Sequence, residues 1–317
     1  MAEYLVTGGA GFIGSAIVRA LAARGGAVRA LDDFSSGPRA NLEGLGAAVE
    51  IVEADVRDRN ALRRALSGVR VVFHHAALVS VPISVSDPSR TESINVGGTI
   101  ALLEEARAAG AARVVLASSC AVYGQNGRAP SAEDAPISFA SPYALSKWVM
   151  EEHARLFTAL HGLETVSLRY FNVYGPRQAA DSAYASVVPL FIRALLRGEA
   201  PVIHGDGAQT RDFVFVDDVV RANLLAAEAI GVCGPFNVGT GEARSVLALF
   251  TEIAKAIGSS LRPRHVEARA GDLRSSLCDA RRAVERLGFR SEVRLAEGLA
   301  RTIAWSRDAV ARTGGAS

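Results

Sequence analysis

Between residues 4 and 25 the chain reads YLVTGGAGFIGSAIVRALAARG, with Gly8, Gly11 and Gly14 set between an apolar run and an amphipathic helix pattern. No other stretch restricts the possible folds as much. Glycine at the first position permits a tight turn, at the second it lets a pyrophosphate approach the backbone, and at the third it lets helix pack closely on strand. A glycine triplet alone is a weak sign, because tight turns use glycine anyway. The strand before it, the helix after it and an acid closing the next strand make it a dinucleotide site. That acid is Asp32, placed to accept hydrogen bonds from an adenosine ribose. Its charge would repel a 2′-phosphate, so NAD is favoured over NADP, although nearby Arg39 keeps the phosphorylated form open. Asp55 and Val56, closing the third strand-like run, are candidates to face the adenine.

Short apolar runs (YLVTGG, AVRALDD, VEIVEAD, RVVFHHAA, RVVLASS, ETVSLRYFN) alternate with helical stretches such as SAIVRALAARG and TIALLEEARAAG. That rhythm predicts an α/β fold, a doubly wound parallel sheet covered by helices on both faces. After Asn172 come loops, a helix near 186–197 and a short strand, PVIHG. RDFVFVDDVVRANLLAAEA and PFNVG read as one more helix and strand returning to the sheet, and the remainder as a smaller, mixed C-terminal lobe. The expected division gives residues 1–171 plus about 213–240 to the nucleotide domain, and 172–212 plus about 241–311 to a substrate lobe.

Composition narrows the class. With 49% hydrophobic and 21% charged residues, the chain has an ordinary globular balance. A formal charge of +2 without a long basic run leaves no nucleic-acid footprint. Cys120, Cys233 and Cys278 form no CxxC pair, so neither a metal nor a disulfide framework is expected. MAEYLVTGG enters a strand pattern at once, leaving no room for a signal peptide, and no apolar run is long enough to span a bilayer. The expectation is a cytoplasmic protein without a membrane partner. Of 35 basic residues only Lys147 and Lys255 are lysine. Because an ammonium is a compact charge whose pKa can be tuned, position 147 reads as one that needs it.

The chemistry centres on SSCAVYG at 118–124 and YALSK at 143–147. Ser118 and Ser119 end a strand. Downstream, Ser141 is a plausible N-cap and Pro142 suits the first helical position. Tyr143 and Lys147 then stand at i and i+4 and share a helix face. An ammonium ~5 Å from a phenol, at an effective dielectric of ~20, is worth ~3 kcal/mol, or ~2 pKa units. That brings the phenol towards ~8, and an oxidised nicotinamide would lower it further. Tyrosinate near neutrality can take a hydroxyl proton while a hydride leaves the same carbon.

At this point the chain resembles the extended short-chain dehydrogenase/reductases, the NAD-dependent nucleotide-sugar epimerases and dehydratases, over nearly its whole length. The resemblance rests on TGGAGFIG, HHAAL, SSCAVYG, YALSK, LRYFNVYGPRQ, GDGAQTRDFVFVDDV and RAGDLRSSLCD. It implies a Rossmann-type domain in which NAD is held by Gly8, Gly11, Phe12, Ile13, Gly14, Asp32, Asp33, Ser36, Gly37, Asp55, Val56, Ala76, Ala77, Ser118, Tyr143, Lys147 and Tyr170. By the same resemblance Ser119 contacts the sugar hydroxyl being oxidised, Tyr143 is the base and Lys147 its partner. Asn172, Arg211, Arg269 and Asp272 would hold the nucleotide diphosphate, the arginines on phosphate and Asp272 on a ribose. His204 would stack on the base, and Ser276 would border the hexose pocket, where a small residue admits N-acetylated sugars.

Related 4,6-dehydratases carry Asp-Glu directly after that serine or threonine, and related decarboxylases a Glu at the second position. Here Cys120 and Ala121 stand there, so elimination loses its acid. The resemblance therefore implies a 4-epimerase of UDP-hexoses working through a transient 4-keto sugar. Two alternatives stay open: a UDP-glucuronate 4-epimerase, which needs a cation for the sugar carboxylate, and a non-catalytic dinucleotide sensor. Family members commonly form homodimers through two helices, here near 97–109 and 143–160.

Overall fold

The computed structural model describes residues 2–124, 130–179, 186–268 and 273–314. The first half of the chain runs β1 (Tyr4–Thr7), α1 (Phe12–Ala23), β2 (Val28–Asp32), β3 (Val49–Glu53), α2 (Arg59–Leu66), β4 (Val71–His74), α3 (Val81–Ser86), α4 (Pro88–Glu92), α5 (Gly98–Ala108), β5 (Arg113–Ser119), α6 (Pro142–His161) and β6 (Glu164–Tyr170). The second half adds β7 (Asn172–Tyr174), α7 (Val187–Leu196), β8 (Val202–His204), β9 (Thr210–Phe215), α8 (Val216–Glu228), β10 (Gly234–Val238), β11 (Ala243–Ser245), α9 (Val246–Ile257), β12 (Arg264–Val266), β13 (Ser275–Ser276), α10 (Arg281–Leu287) and α11 (Leu295–Gly314).

Seven strands form one sheet in the order β10-β6-β5-β4-β1-β2-β3, every neighbouring pair parallel. All six runs read as strands are in it, and PFNVG returns to its edge as β10. Alternation sorts the side chains to two faces. Leu5, Val72 and Val114 join one core cluster, while Val6, Phe73 and Val115 join the other, as a period of two requires. Every residue of β4 is buried, which is why that strand reads as an unbroken apolar run. The order reverses where β1 lies between β4 and β2, and such a switch point opens a crevice outside the carboxyl ends of the strands.

The smaller lobe has its own core, with Tyr174, Phe191, Phe215, Phe250 and Leu299 in one cluster. One element differs from expectation. Residues 211–215, read as the start of a helix, belong to strand β9, which pairs with β7, β11 and β13 in a four-stranded sheet. Asp212 through Phe215 are all buried, so no polar face marks either period, and the aromatic and β-branched side chains settle it as a strand. The expected division at residue 213 therefore falls inside a strand of the lobe's sheet, and the helix begins at Val216.

Helix α6 starts as its sequence indicates. Ser141 Oγ accepts from Ala144 N at 3.2 Å, Pro142 opens the first turn, and Gly162 closes the helix at φ 69°. Among the described residues no helix is long and apolar enough to cross a membrane.

Candidate active site

The crevice is first a matter of close approach. Gly8 has φ +66°, and a Cβ there would stand 2.6 Å from Ala76 N, so the Ala76–Ala77 segment after β4 lies directly on it. A Cβ on Gly14 would be 2.0 Å from Gly8 O, and one on Gly37 2.5 Å from the Ala10 carbonyl carbon. Gly11 starts α1 without a side-chain cap, which leaves the first N–H groups, those of Phe12 and Ile13 among them, for an anion. The Phe12 side chain leans on the lobe's core and Ile13 on the main one.

Asp32 closes β2, its Oδ2 accepting from Ala10 N at 2.9 Å and its Oδ1 from Phe34 N at 2.8 Å. Each oxygen keeps a second lone pair for a ribose hydroxyl. Burial raises the carboxyl pKa, against the pull of those N–H groups. Asp33 and Ser36 are exposed beside it. Arg39 lies 4.0 Å over the Phe34 ring and is paired with Glu53, so its charge is already matched. Asp55 is gripped by Arg57 Nε at 2.9 and 3.1 Å, which holds its carboxyl below the usual range. Val56 is buried against Gly98. Asn41, unforeseen in the sequence, ties down the glycine loop by donating to Ala10 O at 2.9 Å.

The second half of the site is built from buried polar groups. His74 lies between Thr7 Oγ1 at 2.7 Å and Thr99 Oγ1 at 2.9 Å. Burial, with Lys147 adding to it, pushes its pKa down to about 3, so the ring is neutral. His75 Nε2 is 3.0 Å from the Tyr170 hydroxyl, which also meets Asn223 Nδ2 at 2.8 Å. The Tyr170 hydroxyl is thus already engaged. Asn95 clamps the loop after β4, accepting from Leu78 N at 2.7 Å and donating to Ser146 Oγ on α6 at 2.9 Å. An asparagine in the apolar stretch INVGGTIALL was the sequence signal for it.

Lys147 is 2% exposed. Its Nζ donates to Ala117 O at 2.8 Å and lies 6.0 Å from the Tyr143 ring centroid. Burial pushes its pKa down to about 8, with the Glu151 carboxylate opposing. Tyr143 receives its backbone placement from Ser84 Oγ, which accepts from Tyr143 N at 3.1 Å. Burial pushes the phenol up to about 12, while its hydrogen bond with Ser119 pulls the other way. The expectation of a phenol near ~8 is therefore corrected. Desolvation outweighs the attraction of an ammonium that is turned towards a carbonyl.

Ser118 and Ser119 diverge at the end of β5. Ser119 reaches Tyr143 and accepts from Ala121 N at 3.1 Å. Ser118 turns its hydroxyl away to Glu151, so its side chain is not free for a cofactor. Burial pushes the Cys120 thiol up to about 11.

On the lobe side, Asn172 has a buried Nδ2 with no partner among the described residues. Ser276 pairs in register with Arg211 and points its Oγ to within 3.9 Å of Cys120 Sγ. Ser275 faces Thr210 Oγ1 at 3.0 Å instead. Arg211 lies close enough to Cys120 to lower its thiol pKa. His204 stands at the end of β8, its Nδ1 3.2 Å from Glu267 O. Arg269 and Asp272 lie outside the described residues. Asp212, which sequence reading passed over, anchors this side: it accepts from Thr240 N and Gly241 N at 2.8 Å and from Cys278 N at 3.2 Å. An acid inside the apolar run RDFVFV was its signal.

Residues 4–239 match the NAD dependent epimerase/dehydratase family. The chain belongs to that family. The chain is 44% identical over 313 residues to the UDP-glucose 4-epimerase of Mycolicibacterium smegmatis, covering 96% of this chain and 98% of that protein. The solved UDP-glucose 4-epimerase of Thermotoga maritima with UDP-glucose superposes with a TM-score of 0.93 at 39% identity, over 97% of this chain and 99% of that one. The UDP-N-acetylglucosamine 4-epimerase of Methanobrevibacter ruminantium, in complex with UDP-N-acetylmuramic acid, gives a TM-score of 0.93 at 37% identity, over 98% and 100%. NAD is the cofactor of this epimerase/dehydratase family, and the glycine cradle, the uncapped start of α1 and the Asp32 carboxylate fit a dinucleotide.

Proposed function

We propose that this chain is an NAD-dependent 4-epimerase of UDP-hexoses, with Ser119, Tyr143 and Lys147 as its catalytic residues. One observation carries the choice within the family. Ser119, Tyr143 and Lys147 converge at the end of β5, while the two positions that follow Ser119 are Cys120 and Ala121. A thiol pushed up to about 11 by burial and a methyl group supply no acid for eliminating water. Oxidation and its reversal remain.

Bound NAD would supply the acceptor for the C4′ hydride and the source for its return. Tyr143 takes the proton from the 4′-hydroxyl, which leaves a 4-keto sugar, and gives it back after the sugar has turned its other face. The phenol sits at about 12 in the protein's own field, so the positive charge of an oxidised nicotinamide would have to add to that of the Lys147 ammonium to lower it. Ser119 contacts the reacting hydroxyl in this reading, and its hydrogen bond holds the phenol beside it. The sugar turns while something else stays fixed, and binding energy from the nucleotide diphosphate serves that need. Arg211 on β9 and the unpartnered Asn172 amide support this placement, with Arg269 and Asp272 completing the set.

Ser276 borders the hexose in this reading. Its hydroxyl meets Cys120 Sγ at 3.9 Å, and two side chains this small at the border of the pocket suit a sugar that carries an acetamido group. Ser276→Tyr would fill that room, since an aromatic side chain buries ~150–250 Å². We expect the wild type to accept N-acetylated and plain UDP-hexoses, and the variant to lose the N-acetylated ones selectively. A panel of UDP-glucose, UDP-galactose, their N-acetylated forms and UDP-glucuronate, with products resolved by C4′ configuration, tests both statements. Turnover of the glucuronate alone, or of none, would overturn the reading.

The chain also suits a homodimer. Leu145, Leu156 and Leu160 are exposed on α6 and fall on one side of the helix at their spacing. Sedimentation of the wild type beside Leu156→Glu/Leu160→Glu tests it: a dimer is expected to become a monomer, and an unaffected mass would refute this face.

A further inference from the structure

We infer that Glu151 is a positioning residue for the catalytic corner: it holds the end of the catalytic strand and Arg169 in one buried cluster, a single helical turn beyond Lys147. The inference rests on the proposed reaction and adds a residue to it. Glu151 follows Lys147 by four positions, so it projects from the same face of α6. One carboxylate oxygen accepts from Ser118 Oγ and from Arg169 Nε at 3.0 Å; the other accepts from Arg169 Nη2 at 2.7 Å. Glu151 is 7% exposed and Arg169 4%.

The cluster continues across the sheet towards the lobe. Arg169 Nη1 donates to the Tyr123 hydroxyl at 2.9 Å and to Glu133 O at 3.1 Å. The Tyr123 hydroxyl donates to Asn237 Oδ1 at 2.6 Å, and Asn237 Nδ2 reaches Asp279 O at 3.0 Å. Asp279 follows the strand that presents Ser276. One chain of polar contacts thus joins Ser118, beside Ser119, to the segment on the far side of the sugar pocket.

A stability role alone does not account for this. A buried ion pair costs much in desolvation, and apolar residues of similar volume often stabilise a fold as well or better. An apolar pair could not keep a negative charge beside Lys147. The titratable groups coupled to that lysine among the described residues are Glu151 and Tyr143 on α6, His74 closing β4 and His75 just after it, both imidazoles held neutral by burial. Arg169 lies behind Glu151 and is held by it. Glu151 therefore supplies the negative charge that keeps the lysine protonated against burial.

The chain's lysine content makes this measurable. With Lys147 and Lys255 the only two lysines, a protein labelled with 13C at lysine Cε gives two resonances, and the Lys147 titration can be followed without any turnover. In NAD-loaded Glu151→Gln the Lys147 midpoint is expected to fall by at least ~1 pH unit. The rate kcat at pH 8 should fall at least ~5-fold, following the protonated fraction of Lys147, with KM within ~3-fold, and Glu151→Asp should recover most of it. If the single variant does not fold, the double variant Glu151→Gln/Arg169→Gln removes both charges and is expected to shift the Lys147 midpoint in the same direction by at least ~0.5 unit, less than the single variant because the arginine's charge goes too. A folded variant whose Lys147 midpoint moves less than ~0.3 unit, or whose kcat stays within ~2-fold, overturns the inference. An inactive wild type would instead sink the reaction itself, and the titration would still read Glu151.

Discussion

The loop after β1 and the corner where β5 meets α6 lie at the carboxyl ends of the same sheet with only β4 between their strands, yet they are held in opposite ways. The loop is held by contact. Gly8, Gly14 and Gly37 each leave no space for a methyl group, because a backbone atom already occupies it. The corner is held by buried charge and hydrogen bonding, through Lys147, Glu151, Arg169 and two neutral histidines. Substitutions in the loop should therefore act through shape and cofactor affinity, and those in the corner through chemistry with the cofactor still in place.

Tyr143→Phe is the largest test of that division. It removes a hydroxyl and adds no bulk, so turnover should fall at least ~10²-fold, the low end for a general base. Denaturing the purified variant should still release NAD in proportion to protein. Loss of NAD together with activity would show that the two regions are not separate.

Gly14→Ala probes the other side. Its Cβ would meet Gly8 O at 2.0 Å, and overpacking of this kind typically costs about 1–3 kcal/mol. NAD content after purification should drop roughly tenfold or more, with a lower Tm. Full NAD occupancy would mean that the loop relaxes around a methyl group, contrary to the contact picture.

Lys147→Met separates stability from function within the corner. The folded pKa of about 8 lies below the ordinary 10.5, so below pH 8 the folded state carries a buried charge that the unfolded state carries in water. Between about 8 and 10.5 the unfolded chain binds the additional proton, and stability rises with pH, by about 3 kcal/mol in all. The methionine variant should be inactive, should gain about 1–3 kcal/mol at pH 7 after losing the bond to Ala117 O, and should lack that rise. Urea unfolding at pH 7 and 10 distinguishes this from a lysine that stabilises the fold.

Glu53→Gln is the smallest and sharpest case. It leaves the glycine contacts alone and releases Arg39, whose guanidinium is now matched by that carboxylate. The preference for NAD over NADP should weaken by a few-fold, measured by competition for the apoprotein. An unchanged ratio would place the discrimination in Asp32 alone.

The same contrast explains what could be read from the residues alone. Contact leaves a local trace: glycines at fixed spacing, an acid at a strand end, alternation in runs such as RVVFHHAA. Six strands, the loop and the Tyr143–Lys147 helix face followed from such traces. Burial leaves none. Glu151 looks like an ordinary solvated acid one turn from a lysine, and Arg169 stands in LRYFN with nothing local to mark its partner, twisted in from α6. The phenol was misjudged for the same reason, since spacing reports the ammonium and says nothing of the lost water. In β9 the local pattern was ambiguous because both faces of the strand are covered.

His74 carries a consequence for how such a molecule fails. Its ring bridges β1 and α5 through Thr7 and Thr99, and its pKa of about 3 lies far below the 6.5 of a free imidazole. The folded state resists a proton that the unfolded chain accepts, so stability is lost as pH falls from 6.5 towards 3, at up to about 1.4 kcal/mol per pH unit for each such histidine. The ring that resists the proton sits between β1 and α5, next to the Gly8 loop. Mild acid should thus loosen the grip on the dinucleotide before the sheet melts, and a slow acid titration should record free NAD ahead of any change in backbone circular dichroism.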